Sequence, residues 1–326
     1  PYDSCINLFD DPDIMLCFRE AGHILGSAIT VLTIKDHDDG KVKRLVFTGD
    51  LGRRNMPLIR NPYQVEETEY LLMESTYGNR LHESILEAED KLAAIVKTTA
   101  ARGGKILIPA FSLGRTQEII YSLHKLANEH KIPELPIYVD SPLSVNLTEV
   151  FKKNLGVLDE ETQKLFLDSK TDPFNFSQLH YIQSVEESKA LNNHNGPCII
   201  ISSSGMCEHG RILHHIKNSI EDHRNTLVIV GYQAVNTLGR KIVDKMSPVN
   251  IFGKPHDVKM EVKIMNAYSA HADRSDLLDY ATKIQGLQKL ILVHGEEDAA
   301  EDLKTAMLGN GIKEVIVPAF GDTIEL

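Results

Sequence analysis

Short apolar runs recur along the chain, and most close on a polar residue or a small-residue turn. The segments "RLVFTGD" (44–50), "YLLMEST" (70–76), "KILIPA" (105–110), "PIYVDS" (136–141), "CIIISSSG" (198–205), "TLVIVGY" (226–232), "LILVHGE" (290–296) and "EVIVPAF" (314–320) read as β-strands. Their apolar positions are nearly continuous, the pattern of strands buried on both faces of a sheet. Helical spacing of apolar residues follows over 112–130, 206–220, 274–284 and 298–310. This alternation predicts an α/β architecture.

Polar residues cluster where these strands run out: Asp50, Glu74, Asp140, Ser202 to Ser204 and His294. Ligands of α/β sheets bind outside the carboxyl ends of the strands, so these positions are candidates for a site. Asp and Ser are also common helix caps and turn formers, which leaves Asp140, before Ser-Pro, open between the two roles. The stretch "NAYSAHADRSDLLDY" (266–280) places His271 in a run of small residues just ahead of an amphipathic helix.

The 326 residues suffice for one large or two ordinary domains, and 42% apolar with 25% charged residues is ordinary globular composition. No apolar run approaches the ~18 residues of a membrane span. Cys5, Cys17, Cys198 and Cys207 form no CxxC pair, a spacing that predicts reduced thiols and a cytoplasmic protein without a cysteine zinc site. A net charge of −11 speaks against a basic surface for non-specific nucleic-acid binding. It leaves room for a nucleic-acid enzyme whose metals and a few arginines make a local positive field.

The available chemistry is that of a hard-metal hydrolytic site. His23, between Gly22 and Gly26, joins Asp50 and His294 as two imidazoles and a carboxylate, a set suited to zinc, manganese or iron. Their wide separation in sequence gives no evidence of convergence. His37, His82, His124, His130, His180, His194 and His223 are assigned ordinary surface or hydrogen-bonded roles. Neither GxGxxG nor GxxxxGK[ST] occurs, and "ISSSGMCEHGR" (201–211) has Ile201 where a nucleophile elbow needs glycine. That segment does offer a strand, a small-residue turn and a helix start, able to cradle a phosphate or simply to cap a helix.

Taken in order, "FREAGHILGSA", "FTGDLGR", "LLMESTYGNR", "IPAFSLGRTQE", "YVDSPL", "SSSGMCEHGRILHH", "GYQAVNTLGR", "SAHAD" and "LVHGEED" resemble the metallo-β-lactamase-fold nucleases with a β-CASP insertion, relatives of the cleavage and polyadenylation endonuclease and of RNase J. The wording is most similar to the bacterial and archaeal branch. The resemblance implies a partial metallo-β-lactamase αββα sandwich, residues 1–79 and 259–326, around an inserted α/β β-CASP domain, residues 80–258. It implies a zinc-dependent hydrolase cutting RNA phosphodiester bonds, with two zinc ions in the intact enzyme.

By that resemblance His23, Asp50 and His294 are metal ligands, Asp50 bridging. Glu74 and His271 pair beside the metals without ligating them, His271 touching the scissile phosphate. Arg115, Ser203, Gly205, Arg211, Thr237 and Arg240 lie in motifs facing the nucleic acid. The family's H-x-H-x-D-H ligand motif is expected upstream of His23 and does not occur in this chain, which begins at Pro1. A missing amino-terminal portion is the simplest account, and at most one weakly bound zinc is expected for these residues alone. RNA is the expected partner, no membrane is, and a homodimer is allowed. Two rival readings are a metal-free RNA-binding scaffold and a small-molecule hydrolase of the same fold.

Overall fold

The computed structural model describes residues 2–37, 40–167 and 172–326, which form two compact units, Pro1–His82 with Ala270–Leu326 and Glu83–Ser269. The first unit opens with β1 (Cys5–Asn7), β2 (Ile14–Glu20), β3 (Ala28–Lys35), β4 (Val42–Phe47) and β5 (Tyr70–Glu74). Strands β1 to β4 pair antiparallel in succession, and β5 joins β4 in parallel. Strands β2 and β3 escape a search for continuous apolar runs because their burial is mixed. Ile29 and Cys17 are buried, whereas Met15, Phe18 and Ile34 are exposed.

Cys5 stands opposite Cys17 in the β1–β2 ladder, with a Cα–Cα separation of 4.3 Å, and the two form a disulfide. This corrects the expectation of four reduced thiols. Facing residues of an antiparallel pair approach closely enough to be bridged, and pairing of that kind is invisible in cysteine spacing alone. Cys198 and Cys207 are free and buried, and burial pushes both thiols up, Cys198 to about 11.

The second unit begins with α1 (Ile85–Ala101), entered through a Ser84–Glu87 capping box, and β6 (Lys105–Pro109). It continues through α2 (Arg115–Asn128), β7 (Ile137–Val139), α3 (Pro142–Lys153), α4 (Glu160–Leu167), β8 (Leu179–Tyr181) and α5 (Val185–Asn192). Then come β9 (Cys198–Ser202), α6 (Arg211–Ser219), β10 (Thr226–Ile229), α7 (Leu238–Val243), the hairpin of β11 (Val249–Ile251) and β12 (Lys254–His256), and β13 (Glu261–Ile264).

Its six-stranded sheet runs β13-β10-β6-β9-β7-β8 with every pairing parallel, and β6, β7, β9 and β10 are the strands that the apolar runs predicted. Leu107, Ile200, Leu227 and Ile229 pack with Ile212 and Ile216 of α6 in one core. Helix α6 starts at Arg211, not 206, because residues 203–210 make a turn in which Ser204 Oγ accepts from the Glu208 and His209 amides. Residues 259–269, expected to open the sandwich return, lie in this unit. Strand β13 pairs with β10 along the sheet edge, and the Met265 amide donates to the Ile229 carbonyl.

The chain completes the first unit with α8 (Arg274–Thr282), β14 (Lys289–Val293), α9 (Glu297–Gly309) and β15 (Val315–Ile316). Strand β14 inserts beside β5, giving the order β1-β2-β3-β4-β5-β14-β15. The strand expected over 314–320 shortens to two residues, since Pro318 has no amide to extend the ladder. Leu71, Met73, Leu290 and Leu292 pack with Leu277 and Tyr280 of α8 and Leu303 and Met307 of α9. Because β3 is antiparallel to both neighbours, β2 runs in the same direction as β4, β5 and β14. The carboxyl ends of these four strands therefore share one edge. Among the described residues no helix is long and apolar enough to cross a membrane.

Candidate metal centre

That edge carries His23, Asp50, Glu74 and His294. His23 follows β2 in a loop held by its own side chains. Glu20 Oε1 accepts from the Gly22 amide at 2.8 Å, and Ser27 Oγ accepts from the amides of His23 and Ile24 at 3.3 and 3.2 Å. Tyr2 OH in turn donates to the Ser27 carbonyl. A side chain at Gly52 would collide with the Gly22 carbonyl, so glycine is required where the β2 and β4 loops cross.

Asp50 lies three residues beyond β4, and its two oxygens face different imidazoles: Oδ2 is 3.7 Å from His23 Nε2 and Oδ1 is 3.3 Å from His294 Nε2. His294 directly follows β14 in a left-handed backbone conformation, φ 51°. Its carbonyl accepts from the Ser75 amide and from Thr76 Oγ1 at 3.0 Å, which pins the turn to the end of β5. Such a conformation in a non-glycine residue costs of order 1–2 kcal/mol and is retained here by those bonds.

His271 enters from the segment before α8. Its backbone bridges antiparallel to Gly52, and the Ala272 amide donates to the Leu51 carbonyl at 2.7 Å. Its ring centroid lies 4.5 Å from that of His23 and 5.8 Å from that of His294. Nδ1 is 2.9 and 3.0 Å from the two oxygens of Glu74, a carboxylate wholly shielded at the end of β5 that also accepts from the Leu51 amide. Glu74 thus ties the ring of His271 to the loop that presents Asp50.

His23, Asp50 and His271 each offer a ligand atom, all within 4.8 Å of one another. Sequence reasoning placed His294, not His271, with the first two. The geometry sets both imidazoles at the Asp50 corner, His294 with Nε2 toward Asp50 itself and His271 with Nδ1 on Glu74. Two nitrogen donors and a carboxylate at this separation suit one zinc ion, whose preferred ligands are of these kinds. A second group, Asp11, Asp13 and His37, lies at the opposite ends of β2 and β3, where Asp13 also pairs with Lys35.

The six residues expected to face nucleic acid all lie in the second unit, beyond the carboxyl ends of its parallel strands. Ser203, after β9, donates to Ser141 Oγ, which is also 3.2 Å from Ser112 Oγ, so hydroxyls from three strand ends meet. The Gly205 carbonyl accepts from Gln233 Nε2, and a side chain at Gly205 would strike Phe111. Thr237 caps α7, its hydroxyl accepting from the Arg240 amide. The three arginines are each engaged by a carboxylate. Arg115 is buried against Glu118, Arg211 donates to Asp140 at 2.7 Å, and Arg240 pairs with Asp244 at 2.9 Å.

Asp140 is buried at the end of β7. It also accepts from Ser188 Oγ and from His215 Nε2, both at 2.6 Å. Burial alone would raise its carboxyl, but these bonds from His215, Ser188 and Arg211 outweigh it and hold the group below the usual carboxylate range. Ser141, not Asp140, caps α3, and Asp140 instead ties β7 to α5 and α6.

The sequence matches the Beta-Casp domain over residues 116–242 and the Zn-dependent metallo-hydrolase RNA specificity domain over 255–318, the latter containing His271 and His294. A ribonuclease of Thermus thermophilus is 36% identical over 311 residues, covering 95% of this chain and 69% of the relative. The chain belongs to the β-CASP metallo-β-lactamase family. Other members of the β-CASP family that it resembles include an RNase J-like protein of Methanocaldococcus jannaschii, 31% identical with 90% and 67% covered, and the transcription termination factor FttA of Methanosarcina mazei, 34% identical with 91% and 47% covered. The chain spans about half the length of the FttA relatives it matches. Zinc dependence and action on RNA are properties of this β-CASP family, and the α/β fold with an inserted parallel-sheet unit is its architecture.

Proposed function

We propose that this protein is a zinc-dependent ribonuclease hydrolysing RNA phosphodiester bonds. His23, Asp50 and His294 would hold zinc, His271 would donate a proton, and Glu74 would orient it. The observation that carries this reading is the Glu74–His271 pair, set 4.5 Å ring to ring from His23 at the Asp50 corner. When bound, zinc supplies Lewis acidity at the phosphoryl group and lowers the pKa of a water.

The chain's own residues account for the rest. Glu74 accepts a hydrogen bond from His271 Nδ1–H, which fixes the ring and leaves Nε2–H to serve substrate. Nε2 gives its proton to the departing oxygen of the ribose, and the ring ends neutral with Nδ1–H still on Glu74. Serine hydroxyls and Arg240 at the strand ends of the second unit would contact the RNA backbone.

The test is cleavage of an end-labelled RNA by the full chain loaded with zinc. Cleavage should vanish with chelator, return with zinc, and be lost in His271→Ala. Intact RNA after incubation with zinc-loaded protein would overturn the reading in favour of a metal-free RNA-binding scaffold.

A further inference from the structure

His271 is gripped on both sides by main chain. On one side residues 270–272 lie along the Asp50 loop, through the Gly52–His271 bridge, Ala272 N to the Leu51 carbonyl, and Arg53 N to the Ala270 carbonyl. On the other side Asp273 bridges in parallel to Tyr77, three residues beyond Glu74, and the Arg274 amide donates to the Arg80 carbonyl. The two sides hold the two halves of the Glu74–His271 pair.

One buried side chain closes this arrangement. Asp273 Oδ1 accepts from the Ser275 amide at 2.8 Å, Ser275 Oγ at 2.7 Å and the Asp276 amide at 3.0 Å, capping α8. Its Oδ2 faces the other way and accepts from the His82 amide at 2.9 Å, on the segment that leaves β5. A helix cap needs one oxygen, whereas here both are used. The second joins the segment after Glu74 to the segment carrying His271.

We infer that Asp273 is a positioning residue for His271, holding the ring in register with Glu74 by tying its segment to the His82 amide. The inference rests on the proposed proton-donor role of His271. Asparagine is the discriminating replacement. Its carbonyl caps a helix as well as aspartate does, but its NH2 group meets the His82 N–H donor to donor, so the cap survives and the tie is lost.

The experiment measures zinc content, KM and kcat for RNA cleavage in wild type, Asp273→Asn, His271→Ala and the double variant, using the full chain. Asp273→Asn should keep zinc and KM and lose about 10- to 100-fold in kcat, the scale of an ångström-level misplacement. The double variant should be no slower than His271→Ala, because a residue acting through another adds nothing once that residue is gone. With bis(p-nitrophenyl) phosphate, whose leaving group needs no proton, the Asp273→Asn defect should shrink to less than about threefold.

Additive losses, an equal defect on both substrates, or an unchanged kcat would overturn the inference while leaving the ribonuclease reading intact. A wild type without RNA cleavage, or a fully active His271→Ala, would remove the reading itself and this inference with it. If Asp273→Asn does not fold, Asp273→Ser, which also caps but offers no second acceptor, takes its place with the same expected outcomes.

Discussion

Glu74 accepts hydrogen bonds from both His271 Nδ1 and the Leu51 amide, so a single buried carboxylate joins an imidazole to the loop of a proposed metal ligand. The two bonds separate in two variants. Glu74→Gln keeps an acceptor for Leu51 but presents NH2 to Nδ1, forcing the neutral ring into the other tautomer. Its melting temperature should stay near that of wild type while single-turnover RNA cleavage falls by about 10²-fold or more. Glu74→Ala leaves the Leu51 amide buried without an acceptor and should also lose about 1–3 kcal/mol of stability in urea titrations. Equal activity in Glu74→Gln and wild type would show that the pair only supports the fold.

His271 and His294 share the Asp50 corner but differ in their other attachments. His271→Ala should retain zinc and lose cleavage, whereas His294→Ala should lose both, since each ligand removed weakens a metal site directly. Elemental analysis after dialysis against chelator, with single-turnover assays, checks both. The alternative, with His271 as third ligand beside His23 and Asp50, predicts that His271→Ala releases zinc as readily as His294→Ala.

The arginines divide by burial. Arg115 and Glu118 form a buried ion pair, so Arg115→Ala should cost about 3–5 kcal/mol and leave the salt dependence of RNA binding unchanged. Arg240 is about a third exposed, and its pair with Asp244 is a surface one of little energetic weight. Arg240→Ala should leave stability unchanged and flatten the slope of log K against log salt by up to about one unit. A flattened slope in Arg115→Ala would mean that its ion pair opens to reach phosphate.

His82 packs edge-on against Tyr77, and burial, with the charge of Arg53 nearby, pushes its imidazole down to about 4 from 6.5. The folded value lies below the unfolded one, so the stability His82 contributes is complete above about pH 6.5. It is lost as pH falls through 4. Thermal melts of wild type should therefore drop over that interval more steeply than those of His82→Phe, which retains the ring contact without the titration. Parallel curves for the two proteins would refute the assignment.

The four inner parallel strands were legible because burial on both faces leaves no polar alternation to confuse, as in "CIIIS" and "KILIP", whereas the edge strands β8 and β13 carry no such run. Strands β2 and β3 were not, since most of their apolar residues are only partly buried and Met15, Phe18 and Ile34 are exposed. The strand-end rule found Asp50, Glu74 and His294, yet nothing in the spacing of residues 23, 50, 271 and 294 says that they meet. Only the topology that sends β2, β4, β5 and β14 the same way does so. The arginine pairs could have been found earlier, because Arg115–Glu118 and Arg240–Asp244 have helical i,i+3 and i,i+4 spacing. Asp273 and His82 carried no such signal, one resembling any helix cap and the other any isolated histidine.

The main-chain bond from Arg274 to Arg80, with the Asp273 tie to His82, makes residues 83–269 a single excursion that departs from and returns to one spot. Closing a loop becomes costlier only logarithmically with its length, about 0.6 kcal/mol for each doubling. The first unit therefore tolerates almost any length between those two anchors. An entire domain can be lengthened, trimmed or exchanged at that point over evolutionary time, or replaced in the laboratory by a short glycine-serine bridge, without redrawing the sheet whose edge carries His23, Asp50 and His294.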